Sequence, residues 1–342
     1  MVEIISKMLA NNKFSAIKEM LSEMNVVDIA ALIEEMEPEN QVRLFRLLPK
    51  TSSADAFSYL PGDIQGNIVD AITNSELEFL MEDMFLDDAV DFLEEVPANV
   101  VTRVLAHTKP DTRKLINKFL QYPENSAGSI MTIEMVSFPE TYTVKQAIEM
   151  IRKTALDKET IYTCYCMDDK RKLVGTVPLR KLIVAPENQI VKDIMEDDEQ
   201  LIFVNTMDDQ EEVAAIAKKY DLLSIPVVDK EERLVGIITI DDIVDVIEDE
   251  NTEDFEKMAL LLPSEDSYLK TGIFTLYKNR IVWLLILMVS ATFTGQIIEG
   301  FEDKLSMIAG LTASIPMLMD TGGNCGNQVS TLVIRGLALG DI

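Results

Sequence analysis

The sequence predicts a multidomain α and α+β protein with a membrane part. We expect a helical-repeat domain, a duplicated α/β module, a connecting helix and then transmembrane helices. Apolar residues recur at spacings of three and four through residues 1–128, which is typical of amphipathic helices. Residues 165–184 and 226–245 align without a gap at an offset of 61. An uncharged run, IVWLLILMVSATFTGQII, fills residues 281–298.

The composition excludes several classes of function. The chain of 342 residues carries a net charge of −28, which would repel a nucleic-acid backbone. One histidine and three cysteines are too few for a histidine-based transition-metal site or a disulfide framework. Neither a nucleotide-hydrolysis loop nor a nucleophile elbow is present. We therefore predict a protein that is not an enzyme and does not bind nucleic acid.

Residues 1–128 are predicted to form a superhelix-like N domain of short helical hairpins. Prolines mark the helix boundaries, and the phrase that runs from residue 28 to 38 (DIAALIEEMEP) is loosely echoed from residue 87 to 97 (DDAVDFLEEVP). The repeat is too degenerate to give a fixed period.

The duplicated unit predicts two similar domains, residues 129–192 and 193–247. Each copy opens with Ile-Met and then places a strand, an L-V-G turn, a second strand and a helix in the same order. Duplicated in register, this pattern resembles a pair of CBS domains (a Bateman module).

A connecting helix and linker are predicted for residues 248–270. Acidic residues one helical turn apart lie just before this segment and within it. Between residues 193 and 266 there are 24 Asp and Glu against 5 Lys and Arg. Asp242 and Asp245 share a helix face, and Glu250, Glu253 and Asp254 repeat the arrangement. Oxygen ligands without His or Cys suit Mg²⁺ or Ca²⁺, although a solvated helix face explains the same pattern.

One nucleotide site is also a candidate. Thr239 and Asp242 have the spacing with which CBS domains often hold an adenosine ribose, and Arg180 in the first copy could contact a phosphate. Asp242 could equally cap the helix that follows. ATP at the CBS module is therefore a further prediction.

Residues 271–342 are predicted to begin a membrane domain, with transmembrane helices 1 and 2. The uncharged run is followed by an acidic turn and a second apolar run, LSMIAGLTASIPMLM, although a buried core helix is the alternative for one run alone. Lys270, Lys278 and Arg280 before the first run place the N-terminal domains in the cytoplasm. The polar motif TGGNCGNQ, residues 321–328, suits a water-filled path, although small residues also permit close helix packing.

The whole order of domains, the TGGNCGNQ motif and the acidic run from Asp241 to Asp254 resemble the MgtE magnesium channel/transporter family. The resemblance implies a homodimeric, multi-pass protein of the inner (plasma) membrane, surrounded by lipid, with Mg²⁺ as substrate and regulator. Its cytosolic gate would close the pore when intracellular Mg²⁺ is high. It implies pore-lining roles for Gly323, Asn324 and Asn327. The sensor carboxylates that it implies are Asp55, Asp87, Asp91, Asp209, Glu211, Asp221, Asp242, Asp245, Glu250, Glu253 and Asp254.

The resemblance also implies five transmembrane helices, with an ion-holding aspartate on the last. The 342 residues reach about the second, so we expect the membrane domain to be truncated here and unable to close a pore by itself. The alternative hypothesis is a membrane-anchored cytosolic CBS sensor that binds Mg²⁺ or an adenine nucleotide and has no pore of its own.

Overall fold

The computed structural model describes residues 1–196, 201–259, 261–262, 272–307 and 310–338. It divides into two compact units, Met1–Ile243 and Val244–Ile342, which are treated separately here. The predicted linker from Pro263 to Lys270 lies outside the described residues.

The first unit begins with short helices, as the repeated apolar spacing predicted. Within residues 1–125, all of which are described, the helices are α1 (Val2–Ala10), α2 (Phe14–Ser22), α3 (Val26–Glu34), α4 (Pro38–Phe45), α5 (Lys50–Ser58), α6 (Gly62–Ala71), α7 (Asn74–Asp83), α8 (Leu86–Glu95), α9 (Ala98–His107) and α10 (Pro110–Phe119).

Alternate helices pack on each other, so that α3 contacts α5, α4 contacts α6, α7 contacts α9 and α8 contacts α10. Pro38 and Pro110 are the first residues of their helices, where the missing N–H is not needed. The core is apolar and aromatic: the rings of Phe57 and Phe92 meet edge to face with centroids 5.1 Å apart. The helical-repeat prediction is confirmed.

Two three-stranded sheets follow, with the same topology. In the first, β1 (Met135–Pro139) is parallel to β2 (Thr160–Met167), which is antiparallel to β3 (Leu173–Pro178). In the second, β4 (Val204–Asn205), β5 (Ser224–Val228) and β6 (Leu234–Thr239) repeat this arrangement. The helices α11 (Val144–Thr154), α12 (Leu179–Val184) and α13 (Gln210–Tyr220) complete the two α/β units. Cys166 pairs with Gly175 as Val227 pairs with Gly236, which matches the offset of 61.

The two α/β units interlock through the Ile-Met segments. Met131, from the opening of the first copy, lies over Gly236 of the second, and Met195 lies over Gly175 of the first. A Cβ atom at Gly236 would be 2.6 Å from the carbonyl oxygen of Thr132. The L-V-G residues begin β3 and β6 and do not form the turn itself, which corrects the prediction of an L-V-G turn. Their glycines are required by close backbone approach.

The connecting helix α14 (Ile240–Met258) starts in the first unit and continues into the second. It begins before the segment predicted for the connecting helix and linker, residues 248–270, and ends within it. In the second unit the helices are α15 (Ile273–Gly300), α16 (Glu302–Ser306) and α17 (Leu311–Ala338).

Among the described residues, α15 alone is long and apolar enough to cross a membrane, with a mean hydropathy of 2.1 over its most apolar window. The first predicted membrane span thus corresponds to α15, which is longer than the uncharged run of residues 281–298. The second run, residues 305–319, begins at the end of α16, and its residues 311–319 lie in α17, which also carries the polar TGGNCGNQ motif and Arg335.

Candidate metal site

Seven carboxylates from three parts of the first unit influence one another electrostatically. They form what we call the acidic cluster, which consists of Asp55 on α5, Asp87, Asp88 and Asp91 on α8, Glu159 before β2, and Asp241 and Asp242 on α14. On α8, Asp87 and Asp91 are four residues apart and share a face. The cluster therefore joins the helical domain, the first α/β unit and the start of the connecting helix.

Two carboxylate oxygens of the cluster are buried without a hydrogen-bond partner, Oδ1 of Asp87 and Oε2 of Glu159. Burial raises the pKa of Asp87 well above its ordinary value, and the charges of Asp88, Asp242 and Glu159 raise it further. Buried polar atoms in native proteins nearly always have a partner, so these two oxygens indicate a missing ligand or cation.

Three further carboxylates of the cluster also have raised pKa values. Loss of surrounding water, with repulsion by Asp241, Asp88 and Asp242, raises the pKa of Glu159 to about 7. The same two causes raise the pKa of Asp88 to about 6 and that of Asp91 to about 7, with Asp242 as the strongest repelling charge on both.

Asp91 lies at the rim of the cluster, where part of its side chain still reaches water. Its pKa shift therefore reports the electrostatic crowding and is no measure of stability.

Four carboxylates of the cluster lack a basic partner among the described residues. Within the described part of the chain, none of Asp87, Asp88, Asp91 and Glu159 forms an ion pair with Lys or Arg. Asp87 and Asp88 lie in the first turn of α8, where the helix dipole favours negative charge, but this is a small compensation.

The cluster is suited to a hydrated hard cation. No group of three or more Asp, Glu, His or Cys among the described residues is arranged to hold a metal ion directly. Mg²⁺ commonly keeps several of its waters and binds through one or two carboxylates, so it does not need a closed cage. An ion placed here would relieve the repulsion and supply the missing partners of Asp87 and Glu159.

Four predicted sensor residues, Asp55, Asp87, Asp91 and Asp242, come together in this cluster. Asp209 and Glu211 adjoin each other at the start of α13, whereas Asp221 lies at the end of this helix. Asp209 caps the N-terminus of α13, where its Oδ1 accepts a hydrogen bond from the N–H of Glu211 (2.9 Å). Asp221 is the left-handed residue at the opposite end of that helix.

Asp245, Glu250, Glu253 and Asp254 follow on α14 in the second unit. Glu253 forms an ion pair with Lys257 at 2.7 Å. Burial raises the pKa of Asp249 on the same helix, and the charge of Glu248 adds to this effect.

At the candidate nucleotide site, Oγ1 of the buried Thr239 donates a hydrogen bond to Oδ2 of Asp242 (2.8 Å). The same Oδ2 accepts a hydrogen bond from the backbone N–H of Thr239 at 3.4 Å, so Asp242 contributes to the cap of α14, which is the alternative that the sequence left open. Arg180 lies at the start of α12 with its side chain exposed.

The polar motif of residues 321–328 forms part of the continuous helix α17. Gly323, Asn324 and Asn327 are exposed, and Nδ2 of Asn324 donates to Oδ2 of Asp320 at 3.3 Å. The motif is thus presented on one helix, and its role in a pore stays a prediction.

The sequence analysis missed Asp88, Glu159 and Asp241. Asp88 and Asp241 directly adjoin predicted residues, and the doubled Asp-Asp at 87–88 and 241–242 was the available signal. Glu159 gave no local signal because only the tertiary packing of the first α/β unit against α8 and α14 brings it into the cluster.

Comparisons with known proteins agree with this architecture. Residues 24–125 match the family described as the MgtE intracellular N domain, and residues 127–188 and 191–249 match CBS domains. The magnesium transporter MgtE of Thermus thermophilus is 37% identical over 96% of this chain and 73% of its own length. The magnesium transporter MgtE of Bacillus subtilis is 31% identical over 97% and 72%.

Solved structures give the same result. A cytosolic domain of the Mg²⁺ channel MgtE in complex with ATP is 36% identical, with a TM-score of 0.68, and covers 72% of this chain and all of that one. The soluble part of a magnesium transporter is 29% identical, with a TM-score of 0.67, and covers 73% of this chain and 97% of that one.

Fold and site together define a CBS-domain regulatory module that is fused to a helical N domain and to an apolar helix of membrane-spanning length. The chain belongs to the MgtE family of magnesium transporters. The predicted family resemblance and CBS pair are confirmed, whereas the exact domain boundaries stay predictions.

Proposed function

We propose that this protein is a Mg²⁺ channel or transporter of the plasma membrane whose cytosolic part senses Mg²⁺ and closes the pore when the ion is abundant. The observation that carries the sensing function is the acidic cluster, in which neighbouring carboxylates raise one another's pKa and one oxygen each of Asp87 and Glu159 is buried without a hydrogen-bond partner.

The sensing step follows from electrostatics. Without Mg²⁺, repulsion between α8, Glu159 and α14 favours separation of the elements that carry these charges. With Mg²⁺, ion bridges favour the joined arrangement, because the cation binds it more tightly than the separated one. The cluster is thus a two-state element that is biased by the ion.

The connecting helix transmits this step. Asp241 and Asp242 lie in the first turn of α14, and the same helix runs on into the unit that contains α15 and α17. Fixing the start of α14 restricts the position of the segment that leads to the membrane helices. Asp245, Glu250, Glu253 and Asp254 on this helix would contribute further Mg²⁺ contacts.

The conducting part is proposed to include Gly323, Asn324 and Asn327 of α17. Amide and backbone oxygens on a helix with few charges suit a hydrated cation. A multi-pass topology, a homodimeric assembly and surrounding lipid belong to this proposal, with the N domain and CBS pair in the cytoplasm.

ATP is proposed as a second ligand of the CBS pair, with Thr239, Asp242 and Arg180 as candidate contacts. A relative's cytosolic domain has been crystallised with ATP, which supports this proposal. Asp242 belongs to the acidic cluster and also accepts a hydrogen bond from Thr239. A ribose that binds Asp242 would therefore have to replace one of these interactions.

Limited proteolysis of the full chain in detergent tests the sensing function. Millimolar Mg²⁺ should slow cleavage of the first unit, because ion bridges oppose opening. Potassium chloride at equal ionic strength should not slow it, because screening does not bridge.

Asp88→Asn/Asp91→Asn should lose most of the Mg²⁺ effect. Asp70→Asn/Glu78→Gln, which changes the charge equally at exposed positions outside the cluster, should keep it. Equal protection by Mg²⁺ and K⁺, or an unchanged Mg²⁺ effect in Asp88→Asn/Asp91→Asn, would exclude the acidic cluster as the sensor.

A further inference from the structure

A cavity of about 890 Å³ lies in the first unit, where α10, β1 and the two hairpin turns of the CBS pair meet. Two carboxylates, Asp169 and Asp229, and five cationic side chains line it. The cationic residues are Lys118, Lys158, Lys170, Arg171 and Arg233. The cavity has the size of an ordinary small-molecule site.

The positive lining is unusual for this chain, in which 59 acidic residues face 31 basic ones. Across the described ranges, none of the five cationic side chains forms an ion pair with a carboxylate. Lys172, which directly follows Arg171, does pair with Glu232 at 2.8 Å. Carboxylates are therefore nearby, but the five cavity cations are left available.

The fold does not require this charge. The two hairpin turns have the same backbone, with Arg171 at φ 65° and its counterpart Glu232 at φ 64°. The first turn reads Lys170-Arg171 where the second reads Glu231-Glu232. Since either charge is compatible with the turn, the basic residues beside the cavity are not explained by folding.

The floor of the cavity is apolar. Phe119 and Leu234 are buried with their surfaces on the cavity, and Ile133 and Met135 add to this floor. The Phe119 ring is held edge to face by Tyr122 at 5.8 Å. An apolar floor below a cationic rim suits a ligand that has both a flat apolar part and several negative charges.

The cavity is distinct from the acidic cluster. Two chain segments lie between them, and each segment has side chains on both sides. Lys158 has an extended backbone, so successive side chains point in opposite directions: Lys158 lines the cavity and Glu159 belongs to the cluster. Ile133 and Met135 likewise line the cavity, whereas Glu134 between them raises the pKa of Glu159.

We propose that this cavity binds a phosphorylated small molecule with a flat ring system, at a site separate from the acidic cluster and from Thr239, Asp242 and Arg180. The ring lies on the floor near Phe119, and the phosphates contact Lys118, Lys158 and Arg233. Such a ligand bridges α10 of the helical domain to the CBS pair.

Titration calorimetry on the full chain in detergent tests this site, with EDTA present and ATP and inorganic tripolyphosphate as probes. All variants also carry Arg180→Gln, which disables the other candidate phosphate contact. ATP should bind in this background, and tripolyphosphate should bind roughly tenfold more weakly because it cannot use the apolar floor.

Lys118→Gln/Lys158→Gln/Arg233→Gln should weaken ATP binding roughly tenfold or more, because charge-assisted contacts are lost. Lys114→Gln/Lys153→Gln/Lys230→Gln makes the same charge change at residues that do not line the cavity, and should change affinity by less than about twofold. Ser137→Trp should weaken binding by filling the cavity while every charge is kept.

Absence of ATP binding in the Arg180→Gln background would overturn the proposal. If both triple variants weakened ATP binding equally, binding would depend on the general surface charge and not on the cavity, which would contradict the proposal. Tripolyphosphate binding as tightly as ATP would contradict the role assigned to the apolar floor.

Discussion

Glu159 and Asp91 have pKa values of about 7 and Asp88 one of about 6, so these side chains titrate near neutral pH. Loss of water is the largest cause for each, followed by repulsion from neighbouring carboxylates. An ordinary Asp or Glu is fully ionised at this pH. A proton and a Mg²⁺ ion therefore compete for the same oxygens.

This competition predicts a pH-dependent Mg²⁺ affinity. The folded-state pKa values of Asp88 and Glu159 lie above the unfolded ones, so the contribution of these two groups to stability is complete below about pH 4 and is lost as the pH rises through 6 to 7. Mg²⁺ should restore it at high pH. We expect Mg²⁺ to bind at least roughly tenfold more weakly at pH 5.5 than at pH 8.

Thermal unfolding of the full chain with and without Mg²⁺ at the two pH values measures this effect. The rise in Tm caused by Mg²⁺ should be large at pH 8 and small at pH 5.5, and Asp88→Asn/Asp91→Asn should abolish the difference. A Mg²⁺-dependent rise that is the same at both pH values would show that these carboxylates do not bind the ion.

At the scale of secondary-structure elements, the CBS pair depends on close contact between the two copies. The carbonyl oxygen of Thr132 and the sulfur of Met131 approach Gly236 so closely that a Cβ atom has no room. Contacts of this kind fix the relative position of the sheets, and thereby of Glu159 before β2 and Asp242 after β6.

Gly236→Ala should therefore destabilise the protein by about 1–3 kcal/mol, since overpacking shifts backbone and side chains. Gly66→Ala is the matched control: it lies within α6, where a Cβ atom would meet only Val96 at 3.9 Å. This control should stabilise the protein by about 0.5–1 kcal/mol through helix propensity. Chemical denaturation measures both, and a Gly236→Ala variant as stable as wild type would disprove the interlock.

Features that depend on neighbouring residues were predictable from the sequence, whereas features that depend on tertiary contacts were not. The duplicated sequence pattern predicted the order of strands and helices along each copy, and the apolar spacing predicted the helices, because both depend on neighbouring residues. The crossing of Met131 onto Gly236, and of Met195 onto Gly175, was not predictable because it joins separate copies. In the acidic cluster, the family resemblance implied Asp55, Asp87, Asp91 and Asp242, but only tertiary packing adds Glu159.

At the scale of the whole molecule, negative charge is placed where three parts of the first unit meet, and the helix that leads to the membrane segment starts there. A divalent cation that bridges these carboxylates therefore restrains the start of α14. A cation bound to evenly distributed surface charge would not do so. The central claim is that Mg²⁺ at these carboxylates holds the start of α14 and keeps the pore closed.

The most direct test is the Mg²⁺ conductance of membrane patches that contain the protein expressed from its complete gene, recorded while Mg²⁺ on the cytosolic side is raised. Wild type and Asp70→Asn/Glu78→Gln should close as cytosolic Mg²⁺ rises. Asp242→Asn/Asp245→Asn removes two charges at the start of α14, and should stay open to roughly tenfold higher Mg²⁺ because neutral amides bind the ion poorly. Closure of Asp242→Asn/Asp245→Asn at the same Mg²⁺ concentration as wild type would contradict the account.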